Sequence, residues 1–169
     1  MKITELKEKY EIDAEKAFGL IEFRNYLPIT EKYALATVVA DACMNVDRNG
    51  IYFVDSFQLN IAFVTKMITT MTNIEIEPEE TFDAYDFLAQ SGYMNKILEY
   101  IQSNYESTSE IMSAYINDKL GYENSTAKIL SEGLEVIYSS VYECGNNIIT
   151  TLSDVIGDID IKELIGNLK

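Results

Sequence analysis

The sequence predicts an all-α protein of about six to eight amphipathic helices, with at most one short β piece near residues 51–54. Three observations carry this. Apolar residues recur at spacings of 3 and 4 along most of the chain, and period-2 alternation is scarce. The 169 residues hold only 2 prolines and 8 glycines, and most of these punctuate the helical stretches instead of interrupting them. Hydrophobic residues make up 47%, enough for a packed core without help from disulfides or metal.

Residues 1–24 mix charges almost evenly, with Phe18, Leu20 and Ile21 as the apolar stripe. Asn25-Tyr26-Leu27-Pro28 breaks the pattern. Thr30 is then expected to cap a helix, with Ile29 as its staple residue. The spacing of Leu35, Val38, Val39, Ala42, Cys43 and Val46 predicts one buried face, stopped by Asp47-Arg48-Asn49-Gly50. Ile51-Tyr52-Phe53-Val54 reads as a small strand or an extended connection. Asp55 or Ser56 caps the next helix, whose stripe is Phe57, Ile61, Val64, Ile68 and Met71, and Thr72-Asn73-Ile74 ends it.

Pro78 suits the first turn of a third helix bearing Phe82, Tyr85 and Leu88, which Gly92 closes. Ile97, Ile101, Tyr105, Met112 and Ile116 mark a fourth, with an expected break at Ser107-Thr108-Ser109 and an end at Gly121. Ser125 begins a fifth with Leu130, Leu134, Ile137 and Val141, ended or kinked at Gly145. Ile148, Leu152, Ile156 and Ile159, then Leu164, Ile165 and Leu168, form one or two more amphipathic stretches. The change in composition near residue 106 divides the chain into a helical domain, 1–106, and a C-terminal helical extension, 107–169, that packs on it or on a partner. A single domain over 1–169 is the other reading.

Chemistry is limited by what the chain lacks. There is no histidine and no tryptophan. The usual neutral-pH general base and the common zinc ligand are therefore missing. No phosphate-binding glycine loop, serine elbow or paired-cysteine motif occurs. Cys43 and Cys144, far apart, read as core residues of a reducing compartment. No catalytic residue, metal ligand set or cofactor is assigned, and an enzyme is not expected. Asn45-Val46-Asp47-Arg48-Asn49-Gly50 resembles the first half of a calcium loop. Its twelfth position is Ser56, however, which cannot supply the closing bidentate carboxylate.

Charge is the positive clue. With 28 Asp and Glu against 13 Lys and Arg, the net charge is −15. That disfavours direct nucleic-acid binding and anionic membranes. Residues 1–74 hold 10 acidic and 8 basic side chains, whereas the rest of the chain holds 18 and 5. Glu75, Glu77, Glu79, Glu80, Asp83 and Asp86 form the densest cluster, with no basic residue between positions 67 and 95. On a helix, Glu79, Asp83 and Asp86 share a face. Tyrosines outnumber phenylalanines by 12 to 7 and crowd the second part, where Tyr138 and Tyr142 are candidate interface residues. The N-terminus lacks a signal-like apolar run, and no apolar stretch has the length of a membrane span.

The Asn25-Tyr26-Leu27-Pro28-Ile29-Thr30-Glu31-Lys32 start, its apolar helix, the Asn49-Gly50 turn and the Thr72-Asn73-Ile74 stop resemble small acidic proteins of phages and prophages of Gram-positive bacteria. The resemblance spans roughly residues 25–101. It implies a phage-encoded, non-enzymatic role in the virion or its assembly, located in the host cytoplasm or the particle, and transfers no functional residue. The leading expectation is therefore a structural or protein-interaction protein whose partner is itself, as a homo-oligomer, or another phage or host protein. The alternative is an acidic DNA mimic or anti-defence inhibitor that blocks a basic nucleic-acid-binding protein.

Overall fold

The computed structural model describes the backbone of residues 1–157, with side chains for 1–126 and 128–143. The fold is all-α with one short β piece. The chain divides into two compact units, 1–123 and 124–169.

In the first unit, α1 (Ile3–Ile12) and α2 (Ala14–Phe18) are separated by Asp13, whose carboxylate accepts from the Lys16 N–H to start the second helix. Next comes α3 (Ile29–Ala42), preceded by Pro28; the expected Thr30 cap is not used, because proline's fixed φ already sets the helix entry. Its buried face is Lys32, Leu35, Ala36, Val39 and Ala40, with Cys43 buried just beyond. Val38, Ala42 and Val46, expected inside, lie outside. Alanines at 36 and 40 let α3 lie close against its neighbours α4 (Ser56–Met71) and α7 (Gln102–Glu123), so the buried arc turns toward them.

The helix does not run on to Asp47. Met44–Val46 is instead a strand, β1, paired antiparallel with β2 (Tyr52–Val54) in the register Met44 to Val54. The Asp47–Gly50 segment is thus a hairpin turn, with Gly50 at φ 79°. Asp55 caps α4, its carboxylate accepting from the Phe57 and Gln58 N–H groups at 3.0 Å. Ile61, Val64, Ile68 and Met71 are buried as expected, joined by Phe63, Thr65 and Met67, while Phe57 is exposed.

A single 3₁₀ turn at Pro78–Glu80 leads into α5 (Thr81–Gln90), and Gly92, at φ 74°, turns the chain into α6 (Tyr93–Tyr100). Leu88 is buried; Phe82 is not. α7 then runs unbroken through the expected boundary at 106 and the expected break at 107–109, and continues past Gly121 to Glu123. Ser107 and Thr108 donate their hydroxyls to the Ser103 and Asn104 carbonyls, so their polar groups are satisfied inside the helix. Asn104 is buried: its side-chain oxygen accepts from the Leu27 N–H at 3.2 Å, and its amide donates to the Asn25 carbonyl.

One core joins these elements, from Ile3 and Leu6 through Leu27, Met67, Ile68 and Met71 to Leu88, Ile97, Ile101 and Met112. Tyr93 sits within it, its hydroxyl donating to the Ala14 carbonyl, edge-on to Tyr10 and Phe18. The second unit contributes α8 (Thr126–Gly157), which passes the expected stop at Gly145. The expected stripes from Ile148 onward, and Cys144, lie outside the described side chains.

Candidate functional site

Two surfaces correspond to the residues singled out in the sequence, one in each unit. The acidic segment begins where Thr72 closes α4. Asn73 holds this turn: its side chain accepts from the Glu22 N–H and donates to the Leu20 carbonyl, and its own carbonyl accepts from the N-terminal ammonium at 2.6 Å. Glu75 then exchanges backbone hydrogen bonds with Met1 and Ile3. The cluster is therefore displayed from a segment fixed at its start by backbone hydrogen bonds.

The side chains of Glu75, Glu77, Glu79, Asp83 and Asp86 are exposed, and Glu80 is half-buried. Glu75 approaches the N-terminal ammonium at 4.0 Å; among the described residues the other five carboxylates make no ion pair. Glu79 lies in the 3₁₀ turn and Asp83 and Asp86 on α5.

The loop that resembles half a calcium site is otherwise employed. Asp47 Oδ1 accepts from the N–H groups of Asn49 and Ile51, both at 2.8 Å. The Ile51 hydrogen bond is the main cause that holds this carboxyl below the usual range. Among the described residues, no group of three or more Cys, Asp and Glu is placed to hold a metal.

A second polar cluster, which the sequence reading missed, ties α3 to α7. Lys119 Nζ and Tyr115 Oη donate to Asp41 Oδ1 at 2.7 and 2.9 Å. Partial burial pushes the Asp41 carboxyl up, but these hydrogen bonds outweigh it and hold it below its ordinary value. Lys119 is raised by the same contact with Asp41. Each member satisfies another, which is the arrangement of a helix staple. Cys43 is buried, and burial pushes its thiol upward, away from the thiolate that nucleophilic chemistry needs.

The second surface is α8. Its start is built by Ser125, whose Oγ accepts from the Lys128 N–H at 3.2 Å, as the sequence predicts. Lys128 and Glu132 pair one turn apart at 3.6 Å. Ile129, Leu130, Leu134, Val136, Ile137, Tyr138, Val141 and Tyr142 follow, every one of them 60–76% exposed. Tyr138 and Tyr142 are therefore accessible, but they form the edge of a larger apolar surface. Ser131, Leu134, Glu135, Ile137, Tyr138 and Val141 line a depression on it. The signal for this surface was in the sequence as the Leu130, Leu134, Ile137 and Val141 stripe; its exposure was not. Among the described residues, no helix is long and apolar enough to cross a membrane. No family model, curated protein or solved structure matches the chain.

Proposed function

We propose that this is a non-catalytic structural or protein-interaction protein that binds another protein chain through the apolar side of α8. The observation that carries this reading is the run of eight large apolar side chains left in water on one helix. Fully burying one such side chain is worth roughly 1.5–3 kcal/mol, so a partner covering even half of them gains a substantial driving force. A patch of this kind marks an interaction surface. The resemblance of residues 25–101 to small acidic phage proteins supports placing that interaction in a particle or its assembly, in the host cytoplasm or the virion. The absence of histidine from the sequence supports a role without acid–base catalysis.

The test is capture with the immobilised full chain, wild type against Leu134→Asp/Val141→Asp. A protein, whether this chain or another, should be retained by the wild type and released by the double variant. Identical retention by both would remove α8 from the binding surface.

A second reading, an acidic inhibitor of a basic nucleic-acid-binding protein, is favoured by the carboxylates at 77–86 that lack ion pairs among the described residues. It requires that Glu79→Lys/Asp83→Lys/Asp86→Lys abolish binding and that added salt weaken it steeply. Binding that survives both sinks that reading.

A further inference from the structure

We infer that the partner of α8 is α8 itself: three or more copies of the chain associate through a parallel or antiparallel bundle of these helices. This rests on the reading of α8 as an interaction surface and names its occupant.

The arrangement of charge around the helix carries the argument. At 3.6 residues per turn, Lys128, Glu132, Glu135 and Glu143, the charged residues between Thr126 and Glu143, fall within an arc of about 80°. The eight exposed apolar residues, with Gly133, Ser140 and Ser131 between them, occupy the remaining arc of about 240°. A chain carrying −15 would repel its own copies if its acidic residues faced the contact. Between Thr126 and Glu143 they are confined to that narrow arc, with Glu135 and Glu143 at its edges, so identical helices can meet through the rest of the surface with few like charges juxtaposed.

Spacing gives the mode of packing. Leu130, Leu134, Ile137 and Val141 follow one another at 4, 3 and 4 residues, the seam of a left-handed helix bundle. The positions flanking that seam are Ser131, Gly133, Tyr138 and Ser140, none of them charged. Leu134 followed by Ile137 at successive seam positions is a pattern of three or four strands, while Leu130 and Val141 suit two. The width of the apolar arc decides for the larger number. A two-stranded seam covers a narrow stripe, whereas a helix in a larger bundle touches neighbours on two sides.

Gly133 supplies a separate observation. A glycine inside a helix costs about 1 kcal/mol relative to alanine. A Cβ added at Gly133 would meet nothing within 4 Å among the described residues, and its absence leaves room for a neighbouring helix to approach closely at that flank.

The experiment is the mass of the full chain in solution, by light scattering after size exclusion and by sedimentation equilibrium, from low to high micromolar concentration. Three or more copies are expected for the wild type. Leu134→Asp/Ile137→Asp should lower the apparent association constant by at least on the order of a hundredfold. Gly133→Leu should also weaken association while raising the helix content of the monomer, which separates a lost contact from a lost fold. Glu132→Gln, in the middle of the charged arc, should leave the mass unchanged. A wild-type monomer or a simple dimer at all concentrations overturns the inference, as does an oligomer indifferent to the Leu134 and Gly133 variants. A monomer that still captures a different protein through α8 would overturn this inference alone and leave the interaction reading standing. Binding to phospholipid vesicles in place of self-association would overturn both.

Discussion

Asp47 and Asp55 show how single carboxylates shape the hairpin and the helix that follows it. Asp47 accepts two backbone N–H groups across the turn, and those bonds exist in full only while it is ionised. Its folded value is depressed, so its contribution is complete above the unfolded carboxylate value near ~3.9 and drains as pH falls through the lower folded value. Amide exchange should show this directly: the protection factor of the Ile51 N–H falls as the solution is acidified below ~4. In Asp47→Asn that pH step should vanish. A step of the same size in the variant would assign the acid dependence to another group. Asp55→Ala removes the acceptor for two orphan amides at the start of α4 and should cost about 1 kcal/mol in urea unfolding. This cap was legible in the sequence because an Asp directly before an apolar helical run has few other uses. The Thr30 cap misled because Pro28 had already fixed the entry of α3.

At the level of elements, most helices were legible, and the errors share a cause: local pattern cannot say which neighbour an element meets. The Leu35, Val38, Val39 pattern fits two overlapping arcs, and packing against α4 and α7 selects the one through Ala36 and Ala40. Met44-Asn45-Val46 continued the helical spacing by chance; it becomes a strand because β2 is available to pair with it. Ser107-Thr108-Ser109 looked like a break, yet hydroxyls that bond to the preceding turn are accommodated in α7. The same helix carries Asn104, whose side chain is the buried partner of the Leu27 amide. Asn104→Ala leaves that amide without an acceptor and should destabilise the fold by roughly 1–3 kcal/mol. Asn104→Asp keeps the acceptor and loses the donor to Asn25, so equal losses in the two variants, measured by chemical denaturation, would deny the Leu27 bond any special weight.

For the whole molecule, the acidic cluster was readable because charge is written in composition, while the exposure of α8 was not. A stripe at helical spacing looks the same in sequence whether it faces a core or water. The compositional shift at 106 falls inside α7, and the compact units part at 123/124. That division has a consequence for folding. The buried core runs from Ile3 to Met112, and its half-buried rim ends at Ile116, so the described core draws on no residue of the second unit. A chain stopped after Glu123 should therefore keep the cooperative unfolding of the full protein, with a Tm within a few degrees of it, about the shift that 1 kcal/mol produces in a domain of this size. It should also be monomeric, having lost α8. Hydrogen exchange on both chains would locate the effect: amides of α3, α4 and α7 keep their protection in the shortened chain. If that chain unfolds or aggregates, the second unit stabilises the first, and the apolar side of α8 has a partner within its own molecule.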